Sequence, residues 1–165
     1  MRRVDREMDR DFALMVVDKC EYATIAMTDT DGLPYCLPIT IARDKDTIYF
    51  HTAKEGKKTD ALKNSPAVCM SCVGDTLRAT DKFTTEFESA VIRGNACEVT
   101  DDDEKIHALR LICQRHTPAN MEQFDAAIEK SLARTGVWKI DIAEITGKRK
   151  KYDSSGKEMK FGRME

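Results

Sequence analysis

Excess charge of one sign and long apolar runs are both missing from this chain of 165 residues. The formal net charge is −2 and the pI is near 6.0, which argues against a dedicated nucleic-acid binder, because such proteins carry a basic face. No apolar run approaches the roughly 20 residues of a membrane-spanning helix. The first twelve residues, MRRVDREMDRDF, are charged and precede no apolar h-region. We therefore expect no signal peptide, no membrane association and a cytoplasmic location.

The common nucleotide-binding and hydrolase signatures are also missing. Neither GxGxxG nor GxxxxGK[ST] occurs, so the sequence supports neither a Rossmann dinucleotide site nor a P-loop. GxSxG is absent too, and Ser89 has no evident His–Asp partners. Cys113 and His116, with His107 upstream, form only a fragment of a closed zinc site, which needs four ligands. We expect no metal.

Six cysteines are present, and the sequence favours reduced thiols that pack as small hydrophobes in a cytosolic protein. Cys69 and Cys72 match CxxC, which suggests a redox pair or half a zinc site. They lie within AVCMSCV, however, which has the composition of a strand. Side chains three residues apart in a strand point to opposite faces, so core packing is the better interpretation.

Hydrophobic periodicity and turn residues predict a mainly β protein. Strands are expected over 22–27, 33–42, 47–52, 67–73, 83–100 and 137–145. Helices are expected over 5–19, 57–63, 101–115 and 121–133. Strands that follow one another through short turns favour antiparallel pairing, so we predict a small antiparallel β-barrel with peripheral helices at the N-terminus, after the third strand and before the last strand.

Proline and glycine refine this prediction. Pro34 and Pro38 cannot donate to a hydrogen-bonded ladder, which predicts an edge strand, a bulge or an irregular segment for 33–42. Gly94 indicates a bulge or sharp bend within 83–100. The segment 147–165 is basic and poor in apolar residues, and we expect a frayed tail or an arm laid on a partner.

The segment 47–64, TIYFHTAKEGKKTDALKN, most resembles a ligand site. An apolar strand ends at His51 and Thr52, and a helix begins near Lys57 after a turn. Lys57 and Lys58 then lie beside the positive end of the helix dipole, which is unfavourable by about 0.3–1 kcal/mol per charge. A bound anion would reverse this, because free N–H groups, a hydroxyl and two ammonium groups would converge on it. The hypothesis is a phosphate site.

Each of these residues also has a structural interpretation. Lys57 and Lys58 would be ordinary solvated charges, and His51 would be a structural hydrogen bonder. Proximity to the lysines makes His51 an equally good site residue, since histidine titrates near neutral pH. Trp138, the only tryptophan, would either pack in the core or stack on a planar ligand.

Four segments of the sequence together indicate a family: DGLPYCLPITIA (31–42), IYFHTAKEGKKTDALKNSP (48–66), FTTEFESAVIRGNACEV (83–99) and TGVWKIDIAEITGK (135–148). In this order they resemble the pyridoxamine 5′-phosphate oxidase-like FMN-binding split barrels, and most closely the 5-nitroimidazole resistance (Nim-type) branch. The resemblance implies a split-barrel domain over 1–148 with a basic tail over 149–165. It also implies a homodimer that holds FMN at the subunit interface.

Matching residue by residue, the resemblance implies contacts with the cofactor from Pro38, Ile39, Thr40, His51, Thr52, Ala53, Lys57, Lys58, Ser89, Ala90, Val91 and Trp138. Lys57 and Lys58 would bind the phosphate, with Thr52 facing it. His51 would lie on the substrate side as the catalytic residue. Thr40 and Ile41 depart from the polar–aromatic pair that Nim-type relatives commonly carry there.

The function that the resemblance implies is FMN-dependent reduction of a small planar acceptor such as a 5-nitroimidazole, with NAD(P)H as a candidate donor. The alternative is a non-catalytic flavin- or haem-binding module on the same barrel, acting as a sensor or carrier. The arginine and histidine set that recognises pyridoxine phosphate has no counterpart here, so we do not expect a true pyridoxamine-phosphate oxidase.

Overall fold

A computed structural model describes residues 2–162 and contains one antiparallel sheet of eight strands with four α-helices around it. The strands are β1 (Glu7–Met8), β2 (Ala23–Thr28), β3 (Pro34–Ile39), β4 (Ala42–Asp44), β5 (Thr47–Ala53), β6 (Ala67–Arg78), β7 (Thr85–Glu98) and β8 (Thr135–Lys150). The helices are α1 (Arg10–Lys19), α2 (Lys57–Asn64), α3 (Asp102–His116) and α4 (Phe124–Ser131). The expected β class with peripheral helices is therefore confirmed.

The connection between β3 and β4 forces the sheet to curl. The hydrogen-bonded order is β3-β2-β6-β7-β8-β5-β4, with β1 added on β8, so β3 and β4 are its opposite ends. Only Thr40 and Ile41 separate these two edge strands along the chain. The sheet must therefore bend until its edges approach, which produces a barrel split between β3 and β4. The prolines of β3 lie on an edge strand, as predicted.

Alternation along the strands fills the barrel. Ile25 of β2, Met70 of β6 and Phe50 of β5 all point inward and are fully buried. One end of this core is covered by α1, through Val16 and Val17. A second apolar cluster joins α3 and α4 to the outside of the barrel at Tyr49 and Val137. Strand β5 is consequently buried on both faces, which explains its unbroken apolar run.

Several element boundaries differ from the prediction, and the strand expected over 33–42 is divided into β3 and β4. Helix α1 begins at Arg10, because the Asp9 carboxylate caps it by accepting a hydrogen bond from the Phe12 N–H at 2.8 Å. Strand β6 continues to Arg78, so its predicted end at 73 is wrong. Its last residues, Thr76–Arg78, pair with β7 beyond a bulge that follows Val73.

The bulge predicted in β7 is confirmed between Arg93 and Gly94. A Cβ atom on Gly94 would overlap the carbonyl oxygen of Asp141 on β8. The close approach of these two backbones is the reason that glycine stands there.

The expected frayed tail is wrong for 149–162. Strand β8 runs to Lys150, two residues past the predicted domain end, because Arg149 and Lys150 pair with β7. The chain then folds back, and the Phe161 N–H donates to the Asp5 carbonyl oxygen at 3.0 Å. Lys160 pairs with the Asp5 carboxylate at 2.7 Å. The remaining tail residues, 163–165, lie outside the described residues.

The six cysteines are all free thiols. Cys69 and Cys72 lie on opposite faces of β6, as the strand interpretation of CxxC predicts, with Cys72 buried and Cys69 partly exposed. Cys20 is also buried, whereas Cys36 and Cys97 are exposed, so core packing does not describe all six. Within 2–162, no helix is long and apolar enough to cross a membrane, and no cluster of three metal-ligating side chains occurs.

Candidate functional site

The strand–turn–helix corner predicted from 47–64 is present, and its helix has an open N-terminus. Strand β5 ends at Ala53 and α2 begins at Lys57. The residue before the helix is Gly56, with φ of 128°, a region that glycine adopts far more readily than other residues. Among residues 2–162, no side chain caps this end of α2. Its first-turn N–H groups are therefore oriented towards any anion bound at the corner.

Lys57 is solvent-exposed, but its ammonium is already paired with a carboxylate. Its Nζ lies 3.0 Å from the Asp29 carboxylate, whose side chain is only 4% exposed. It also lies 4.9 Å from the centre of the Tyr35 ring. The hydrogen bond from Lys57 lowers the pKa of Asp29, and backbone N–H groups of the same turn contribute. Lys57 thus ties the start of α2 to the β2–β3 hairpin.

Lys58 has the character that an anion site requires. Among the residues described, no carboxylate lies within ion-pair distance of its Nζ. The ammonium lies 5.8 Å from the centre of the Phe50 ring, and burial lowers its pKa. A partly buried ammonium without a counterion is stabilised by any anion that reaches it. Of the two predicted lysines, Lys58 is therefore the stronger candidate for an anion ligand.

His51 and Thr52 point to different sides of β5. Alternation places Thr52 on the side of Phe50, towards Lys58, and His51 on the side of Tyr49, towards α3 and α4. His51 is exposed at this side of the strand, and its partial desolvation lowers its pKa, with the nearby charges of Lys58 and His116 lowering it further. The imidazole is consequently uncharged at neutral pH and can donate one hydrogen bond and accept another. Ala53 ends the strand and is exposed.

A second group of predicted residues lies on the outer face of the barrel, which we define as the outward side of β3, β2, β6 and β7. Pro38 pairs with Thr24, Thr24 with Ser71, and Ser71 with Val91, so these four form one row. Val91 is three strand spacings, about 14 Å, from Pro38. Exposed apolar side chains mark this face, namely Tyr22 at 58%, Val73 at 50% and Val91 at 40% exposure.

The structure separates these two groups. The β3 edge adjoins the corner, because Lys57 contacts Tyr35, three residues before Pro38. Thr40, just beyond that strand, is exposed. Ser89 and Val91 on β7 lie on the far side of the outer face, across β2 and β6. A single chain therefore brings together the corner and the β3 edge, and it leaves the β7 residues apart.

Three predicted site residues have inward side chains. Ile39 and Ala90 belong to the barrel core, with 7% and 0% exposure, so only their backbone atoms can reach a surface ligand. Trp138 lies opposite Phe50 in the β5–β8 pairing and is 3% exposed. Its Nε1 is buried without a hydrogen-bond partner among the described residues. The core interpretation of Trp138 is the one that the structure supports.

The family model for pyridoxamine 5′-phosphate oxidase matches residues 9–149 of this chain. The comparison with curated protein sequences finds no significant match.

Solved structures share the fold. The chain is similar to a candidate 5-nitroimidazole antibiotic resistance protein from Bacteroides thetaiotaomicron, with 27% identity over 87% of this chain and 86% of that one, and a TM-score of 0.72. The flavocytochrome Anf3 from Azotobacter vinelandii is 20% identical over 95% and 78% of the two chains, with a TM-score of 0.74. An FAD- and haem-binding protein from Mycobacterium smegmatis is 20% identical over 96% and 84%, with a TM-score of 0.76.

Proposed function

The chain belongs to the pyridoxamine 5′-phosphate oxidase family, and we propose that it is an FMN-dependent oxidoreductase that reduces a small planar acceptor such as a 5-nitroimidazole. The observation that carries this proposal is the unpaired ammonium of Lys58 beside the uncapped start of α2. The 27% identity to the Bacteroides thetaiotaomicron protein supports the choice of acceptor class.

The corner fits a phosphate monoester. The first-turn N–H groups of α2 would donate hydrogen bonds to its oxygens, and Lys58 would supply the positive charge. Thr52, on the same side of β5, offers a hydroxyl. Lys57 would act indirectly, because its ion pair with Asp29 holds the start of α2 against the β2–β3 hairpin.

The outer face supports the homodimer. Isolated exposed apolar residues are ordinary, but Tyr22, Val73 and Val91 share one sheet face. A second copy that covers this face would shield them from water. It would also bring Ser89 and Val91 of one copy towards a ring bound at the β3 edge and corner of the other, which a single chain does not do.

The flavin supplies the electron transfer when it is bound, and the chain supplies binding, orientation and protons. Pro38 and Thr40, exposed at the β3 edge, would flank the ring. His51 is the candidate proton donor, because its lowered pKa would let the protonated imidazole give up its proton readily to the reduced acceptor. NAD(P)H is the first electron donor to test.

The test is anaerobic turnover. FMN-loaded protein, NADPH and 2-methyl-5-nitroimidazole are mixed, and loss of the nitro absorbance is compared with the same FMN concentration free in buffer. We expect the nitro absorbance to fall faster with the protein than with free FMN. His51→Asn should react more slowly than the wild type while it retains its bound flavin. Bound flavin whose turnover equals that of free FMN would instead support the non-catalytic module and would contradict the oxidoreductase.

A further inference from the structure

A cavity lies on the side of β5 that faces away from Lys58, between that strand and the helices α3 and α4. Its volume is about 210 Å³. Its wall is mostly apolar, formed by Leu109 and Ile112 of α3 and by Phe124 and Ile128 of α4. His51 contributes from the strand, and we call this space the His51 cavity.

Most polar groups around the His51 cavity are already satisfied. The Ser131 hydroxyl donates to the Ala127 carbonyl oxygen at 2.7 Å, and the Thr135 hydroxyl donates to the Ser131 carbonyl oxygen at 2.9 Å. His51 differs from the other two histidines of the chain. His107 is bonded to Asp44 at 2.9 Å and His116 to the Ile41 carbonyl at 2.8 Å, whereas no hydrogen bond joins the His51 ring to another described residue.

The charge of an occupant follows from these surroundings. A charged occupant of either sign would lose hydration against the apolar wall, which is costly. The charge of Lys58, which acts on His51, would repel a cation further and would offset only part of the desolvation of an anion. An uncharged molecule has neither penalty, and one polar atom on it would satisfy the imidazole.

The size of the cavity limits the occupant to one ring. An apolar protein cavity of about 150 Å³ is known to bind benzene, so 210 Å³ holds one ring with a short substituent. We propose that the His51 cavity is a binding site for a small uncharged ring compound whose single polar group hydrogen-bonds to His51. Residues of one chain form the site and no flavin is needed for it, although it shares His51 with the flavin proposal.

The test is a titration of the purified protein with phenol, an uncharged ring with one hydroxyl, followed by NMR of the histidine ring signals. We expect phenol to shift the His51 signals, which His51→Ala identifies by their loss. Benzoate and benzylammonium, with the same ring and opposite charges, should leave them unchanged. No shift with phenol, or equal shifts with all three probes, would overturn the proposal. The wild-type protein alone gives this result, since His51→Ala serves only to assign the signals.

Helix α4 offers a matched pair of variants. Ala127 lines the cavity and its neighbour Ala126 does not, although both are exposed on the same helix. Ala127→Leu should fill the cavity and weaken phenol binding at least about tenfold, while Ala126→Leu should bind as the wild type does. Equal binding by the two variants would contradict the proposal. Flavin binding is scored separately from visible absorbance, so failure of either proposal leaves the other testable.

Discussion

The Lys58→Ala substitution should weaken FMN binding while leaving riboflavin binding unchanged. Riboflavin lacks the phosphate, so the comparison isolates the bond between the phosphate and the ammonium. No counterion for Lys58 is found among the described residues, so its charge is not divided between the ligand and a carboxylate. A hydrogen bond to a charged group contributes about 1.5–3 kcal/mol. The dissociation constant of FMN should therefore rise by about 10- to 150-fold.

Quenching of flavin fluorescence measures both constants at fixed ionic strength. Lys63→Ala is the control, because Lys63 is an exposed lysine in the last turn of the same helix. It should change FMN affinity by less than about twofold, since exposed charges away from a ligand contribute little. An unchanged FMN constant in Lys58→Ala, or an equal loss for riboflavin and FMN, would refute the assignment of Lys58 to the phosphate.

Three further predictions concern the frame of the site. Gly94→Ala should lower the free energy of unfolding in urea by about 1–3 kcal/mol, because its Cβ would overlap the Asp141 carbonyl; unchanged stability would contradict the close approach of β7 and β8. Desolvation holds the pKa of His51 below its value in the unfolded chain, so the unfolded chain takes up the proton first. The free energy of unfolding should therefore fall as pH drops below about 6.5. His51→Gln should remove that part of the pH dependence, and a pH profile identical to that of the wild type would contradict the prediction. Val91→Arg should convert a dimer into a monomer in analytical ultracentrifugation with little loss of fold, since Val91 is 40% exposed on the outer face, and a persistent dimer would place the interface elsewhere.

Local signals predicted the frame of the fold well. Prolines that cannot donate to a ladder located the edge strand β3, and Gly94 located the bulge in β7. Alternating apolar residues located the inward faces of the strands. These signals succeed because each arises from the backbone or from nearest neighbours, which the sequence contains directly.

Boundaries that depend on distant partners were predicted less well. The end of β6 is polar and reads as a loop, yet it pairs with β7 because the hairpin supplies its hydrogen bonds. The segment 149–162 is poor in apolar residues and is ordered by contacts with the N-terminal segment at Asp5. Composition within a window cannot report such contacts.

At the candidate site, the sequence identified the corner but did not separate the roles of its lysines. Lys57 and Lys58 are adjacent and chemically identical, and only the fold brings Asp29 and Tyr35 to the first of them. Asp29 stood in a turn cluster, TDTDG, where its only evident role was to turn the chain. The sequence carried no signal that this carboxylate would be buried and paired.

The most direct measurement of flavin binding at this corner is the visible spectrum of the protein after incubation with FMN and removal of free flavin on a desalting column. If FMN is bound through its phosphate at Lys58, the protein should retain the absorbance of an oxidised flavin at about one flavin per chain, and the Lys58→Ala protein should retain clearly less. A colourless wild-type protein, with no quenching of added FMN, would contradict the central claim.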